Sequence, residues 1–184
     1  MQSIRKIAPA TLNWVQIRAI KHEFELRSGD ELCGTLRWEK AFGSLASAKS
    51  EDGQWTFKRV GFLNPRVTIR QPGSDIDIAI FKPGWTGSGV LEFRNGRRFQ
   101  WEHQDFWRLE WTFQEAGQEL LRFKSKAGSL KINVGVDLAP SVKNLPDASL
   151  LASLGMYLLV LMRDDSAASA AGVASTVSVT VMKS

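Results

Sequence analysis

The sequence predicts a mainly β fold, a single antiparallel closed barrel of about twelve strands around one central apolar α-helix, with residues 1–184 forming one domain. Three observations lead there. Alternating apolar and polar segments recur from residue 23 to residue 136, about 8–12 residues apart and joined by tight polar turns. No helical stretch long enough for a parallel crossover interrupts them. Ala148–Met162 then runs for 15 residues without a charge.

Taken in order, Leu12–Ile20 supplies a first strand. Phe24 and Leu26 share one face of 23–27, and after the turn 28–31 Leu32, Leu36 and Trp38 share one face of the return strand. Ser44–Lys49 and Gln54–Val60 repeat the hairpin around Asp52-Gly53, which tolerates the backbone of a tight turn. Val67 and Ile69 oppose Arg66, Thr68 and Arg70, and Ile76, Ile78 and Ile80 line one face of 75–81. Asn95-Gly96 joins 89–94 to 97–102 with the strongest of the short turn signals. Trp107, Leu109, Trp111 and Phe113 share one face of 107–114, and strands 118–124 and 129–136 follow, the last with Leu130, Ile132, Val134 and Val136 in register. One apolar and one polar face is the antiparallel pattern.

The helix is expected over about 148–163, starting after Pro146 and Asp147. It is apolar around its whole circumference, so it needs a core or a bilayer. Fifteen residues rise about 22 Å, short of the ~30 Å hydrocarbon layer, which favours the core and leaves no expected transmembrane anchor. A helix 10–12 Å across overfills an eight-stranded barrel and calls for roughly eleven or twelve strands. The weak alternation over 173–182 suggests a closing strand or a tail.

The hairpins Phe24–Trp38 and Ser44–Val60, the run Trp55-Thr56-Phe57-Lys58-Arg59, the turn Gly61-Phe62-Leu63-Asn64-Pro65-Arg66-Val67 and the helix Leu150–Met162 resemble the tubby-like barrels. That group includes tubby C-terminal domains, LURP-one-related proteins and phospholipid scramblases. The resemblance implies a twelve-stranded barrel around the helix. It implies little about activity: tubby domains bind phosphoinositide headgroups through basic residues, scramblases act on membranes, and many LURP-one-related proteins have no known role. No tubby ligand residue is carried over to a position here, and the calcium segment and proline-rich extension of scramblases are not evident. Fold alone does not decide function.

Composition narrows the chemistry. Cys33 stands alone, which fits a reducing, cytoplasmic setting, and the N-terminal stretch has no uninterrupted apolar run of the secretory kind. Gly84–Gly89 has neither the spacing of a nucleophile elbow nor the ending of a phosphate loop, and Trp85 within it is expected to be exposed. His22 and His103 with one cysteine make no tetrahedral metal set, and Asp75 and Asp77 lack the further oxygens of a calcium loop. No cofactor is expected. His103, among Glu102 and Asp105, is the one candidate acid or base for an enzyme reading.

The net charge of +5 favours anionic partners. Lys58, Arg66, Arg70 and Lys82 fall on neighbouring strands, and Arg94, Arg97 and Arg98 crowd the Asn95-Gly96 hairpin. These seven are the candidate binding residues, for an anionic phospholipid headgroup or another protein. Trp107 and Trp111 share a face with Leu109 and Phe113, which marks them as core, so nucleic-acid stacking is not expected. The expected function is a non-enzymatic binding module. Alternatives are a hollow small-ligand barrel with the helix outside as a lid, and an enzyme without a recognisable motif.

Overall fold

The computed structural model describes residues 1–40, 43–84, 87–105, 109–125 and 131–181; beyond residue 170 only the helical path is described. A short helix α1 (Ile4–Ile7) precedes twelve strands. These are β1 (Thr11–Gln16), β2 (Glu23–Ser28), β3 (Glu31–Trp38), β4 (Ala46–Ser50), β5 (Gly53–Val60) and β6 (Arg66–Arg70). Then come β7 (Asp77–Pro83), β8 (Gly89–Phe93), β9 (Arg98–Asp105), β10 (Glu110–Glu115), β11 (Gln118–Ser125) and β12 (Asn133–Leu138). A 3-10 turn (Pro140–Asn144) leads into helix α2 (Ala148–Val181). Each strand pairs antiparallel with its chain neighbours, and β1 closes on β12 with Trp14 opposite Val134, so the sheet is a complete barrel. Closure leaves no strand edge.

The first four turns of α2 run through the barrel. Leu151, Ala152, Leu154, Met156, Tyr157 and Val160 are fully buried. Small helix residues meet large strand residues. The Trp14 indole N–H donates to the Ala152 carbonyl at 3.3 Å, the Phe123 ring lies against Gly155, and Tyr157 packs between Trp38 and Phe57. Interiors tolerate few voids, so this interdigitation is what lets a helix share the lumen with aromatic strands. The helix is thus inside the wall and not an outer lid.

At the helix start, Ser3 and Ser149 both donate hydroxyl bonds to Asp52, which ties α1, the β4–β5 turn and α2 together. Gly96 carries the β8–β9 turn with a φ of +83°, a conformation that favours glycine, and its N–H donates to the Phe93 carbonyl.

Five sequence expectations are corrected. Residues 173–181 are helical, not a closing strand; the barrel is already shut by β1 pairing with β12, which leaves no place for a thirteenth strand. The helix consequently runs well past 163. Ile76, Ile78 and Ile80 do not form the inner face of β7: Ala79 and Phe81 do, because they pair with Ile69 and Val67, while Ile76 is exposed. Leu109 is exposed with φ 51° and lies before β10, so it does not share the buried face of Trp111 and Phe113. A register shift between Leu26 and Arg27 likewise turns Cys33 inward in place of Leu32. Trp85, Trp107, Ser129, Leu130 and Met182 lie outside the described residues.

Candidate functional site

The structure separates the seven cations singled out by sequence. In a barrel of antiparallel neighbours, the β1–β2, β3–β4, β5–β6, β7–β8, β9–β10 and β11–β12 connections lie at one end. Helix α2 enters at the opposite end and leaves through this one, where Arg59 holds Asp165 at 2.7 and 2.9 Å and His22 lies 3.7 Å from Asp164. Lys58, Arg66 and Lys82 stand toward this exit end, on β5, β6 and β7. Arg70, Arg94, Arg97 and Arg98 stand toward the entry end.

Most of the entry-end group is already engaged. Arg70 pairs with Asp77, and Arg98 shares Glu92 with Lys82. Arg97 bridges Glu115 and Asp147, its N–H groups donating at 2.9 and 2.7 Å, and covers the Phe99 ring. The hydrogen bond from Arg97 holds the Glu115 carboxyl below its ordinary range, and the bonds from Lys82 and Arg98 do the same to Glu92. Burial pushes Asp147 the other way. This is a structural clamp joining the β8–β9 turn to the start of α2.

The exit end is different. Arg18, Lys21, Lys40, Lys58, Arg66, Lys131 and Arg163 are exposed there, and none has an ion-pair partner among the described residues. At the entry end the comparable cations are Lys49, Arg94 and Lys143. The exit end also carries carboxylates, but Asp165 is held by Arg59, Glu23 lies 3.7 Å from Arg37, and Glu39 accepts from Ser47.

Exposed apolar side chains collect at the same end. Ile20 is 98% exposed, Phe62 97% and Leu63 93%, and Ile17, Leu45 and Leu109 on the β1–β2, β3–β4 and β9–β10 connections are exposed as well. Phe62 and Leu63 form the tip of the β5–β6 turn. Gly61 makes that turn with φ +85°, and a Cβ there would run into the Asn64 carbonyl. The tip is therefore held out from the barrel by the backbone geometry at its base.

A cavity of about 240 Å³ opens beside this turn, walled by Val67, Phe81, Trp101, Leu158, Leu161 and Met162, with Arg59, Pro65, Arg66 and Asp165 at its rim. Below the rim the Tyr157 hydroxyl donates to the Ser44 carbonyl at 2.6 Å and accepts from the Arg59 N–H, with burial pushing its pKa up to about 12. It anchors the helix and is no acid or base near neutral pH. Burial, with the neighbouring Asp165 charge, also raises the Asp164 carboxyl.

His103, the acid-or-base candidate, lies on β9 with its ring 4.4 Å from that of Trp111, in the aromatic layer of the barrel. Among the described residues no group of three or more His, Cys, Asp or Glu side chains is placed to hold a metal, and no helix is long and apolar enough to cross a membrane.

Sequence reading named Lys58 and Arg66 but missed the exposed tips and the other unpaired cations at that end. A signal was present, since Phe62-Leu63 between Gly61 and Asn64-Pro65 puts two large apolar residues in a turn, where polar ones are usual. No family model, curated protein or solved structure matches this chain. Fold and site together define a helix-filled antiparallel barrel with one basic, apolar-tipped end.

Proposed function

We propose that this protein is a non-enzymatic binding module that docks the exit end of its barrel on membrane surfaces carrying anionic phospholipid headgroups. One observation carries the reading: the near-fully exposed Ile20, Phe62 and Leu63 share one end of the barrel with a set of cations that have no ion-pair partner among the described residues. Large apolar side chains held out in solvent at one end of a molecule mark an interaction surface. Apolar tips ringed by Lys and Arg suit a lipid interface, where each cation near an anionic surface is worth about 1 kcal/mol. The resemblance to tubby-like barrels supports the same partner class. Of the residues first singled out, Lys58 and Arg66 belong to this surface, and the Arg70, Arg94, Arg97 and Arg98 group does not.

Sedimentation with vesicles tests it. The protein should pellet with phosphatidylserine- or phosphoinositide-bearing vesicles and stay in solution with pure phosphatidylcholine. Replacing Lys21, Lys58 and Arg66 together by Gln should lower partitioning by about two orders of magnitude, from roughly 1 kcal/mol per cation. Phe62→Ser with Leu63→Ser should weaken it by tenfold or more. Equal behaviour toward neutral and anionic vesicles would overturn the proposal.

A further inference from the structure

We propose that the cavity at the mouth of the barrel binds the hydrocarbon chain of an anionic amphiphile, with the anionic head at Arg66. The inference goes beyond surface docking and does not depend on it.

The walls supply the chain site. Val67 and Phe81 come from adjacent strands, Trp101 from β9 two strands along, and Leu158, Leu161 and Met162 from the last buried turn of α2. The space is large enough for an apolar group, since apolar cavities of about 150 Å³ already take up benzene. A methylene is about the size of a water molecule, with a share of liquid volume near 30 Å³, so 240 Å³ has room for about eight chain carbons.

The rim supplies the head site. Arg59 and Asp165 neutralise each other, whereas Arg66 is exposed and has no ion-pair partner among the described residues. The net charge offered at the opening is thus one positive, which complements a carboxylate or phosphate monoanion and does not suit a neutral or cationic head. Pro65, on the rim, belongs to the turn that carries Phe62 and Leu63, so a chain could pass from the surface those tips contact into the cavity.

Calorimetric titration of the full chain tests this with decanoate, octanoate, hexanoate, decanol and acetate, all as monomers. Decanoate should bind one to one and acetate should not bind. At about 0.8 kcal/mol per methylene, octanoate should bind about 15-fold more tightly than hexanoate, with little further gain once the cavity is full. Decanol should bind at least tenfold more weakly than decanoate, and Arg66→Gln, an exposed change that leaves the core intact, should erase that difference. Met162→Trp should fill the cavity and abolish binding of both.

Failure of decanoate to bind at millimolar concentration, or affinities unmoved by both variants, overturns the cavity site while leaving vesicle docking standing. Decanoate binding without vesicle docking upholds the cavity and overturns the surface reading. If Met162→Trp also weakens docking to anionic vesicles, the chain comes from a bilayer lipid; if docking is unchanged, it comes from a free amphiphile. Both results uphold the site.

Discussion

Gly155 sits where α2 passes the Phe123 ring, and a Cβ at this position would clash with three carbons of that ring. Phe123 cannot retreat easily, since its ring is wedged against Trp101 at 5.3 Å and Phe113 at 6.2 Å. Gly155→Ala therefore sets overpacking, costing about 1–3 kcal/mol, against the better helix propensity of alanine, worth about 1. The expected outcome is a net loss of up to about 2 kcal/mol, read as a fall in Tm of up to about 8 °C. Adding Phe123→Leu should recover part of the loss, a coupling that a double-mutant cycle measures directly. Leu109 illustrates the same scale from the other side. Its apolar side chain fits the period of the following strand, yet a left-handed backbone places it before β10 and in solvent.

Among the elements, α2 does two jobs along its length. Its first 15 residues span about 22 Å, close to the height of a wall made from strands of five to eight residues tilted as barrel strands are. Asp164 and Asp165 mark the exit rather than the end, because His22 and Arg59 tether them while the helix continues. Residues 163–170 are exposed, and Ser166 and Ser169 satisfy their hydroxyls on carbonyls one turn back. Ending the chain after Ser169 should leave the barrel intact. Surface changes of this kind are worth about 0.5 kcal/mol, so calorimetry should place Tm within about 2 °C of the full chain. Ending it before Ala148 should leave no cooperative transition, since the lumen loses its filling.

At the scale of the molecule, the two ends of the barrel divide the charge. The entry end and wall hold carboxyls that are kept below their ordinary values: Glu115 by the hydrogen bond from Arg97, Glu92 by those from Lys82 and Arg98, and Glu51 by that from Lys6. Because these folded values lie below the unfolded value of 4.5, the folded state binds fewer protons there. Their contribution is complete above about pH 4.5 and is lost as pH falls through the lowered values. Asp147 and Asp164, raised by burial above 3.8, act in the opposite sense and soften the loss. Tm should therefore decline below about pH 4.5. In Arg97→Ala the decline should be shallower, since Glu115 titrates normally there, while Tm at neutral pH should be lower than in the parent. Thermal scans between pH 7 and pH 3 compare the two slopes.

The class of fold was legible because two periods are written plainly in the residues. Alternation at a spacing of two marks a strand half buried in a wall, and an uncharged 15-residue helical stretch demands shelter that only a wide barrel provides. Those are local consequences of where apolar side chains can go, and they determined the strand count and the central helix. They did not determine which face of β7 turns inward, since both of its faces carry apolar side chains and pairing with β6 decides. Nor did they say which cations are free. Ion pairing depends on neighbours brought across the barrel, as when Arg97 meets Glu115 and Asp147, whereas Arg66 meets no such carboxylate among the described residues. That the apolar tips and those cations share one end follows from antiparallel closure, which sends alternate loops to opposite ends of the molecule, and no stretch of sequence read alone contains that sidedness.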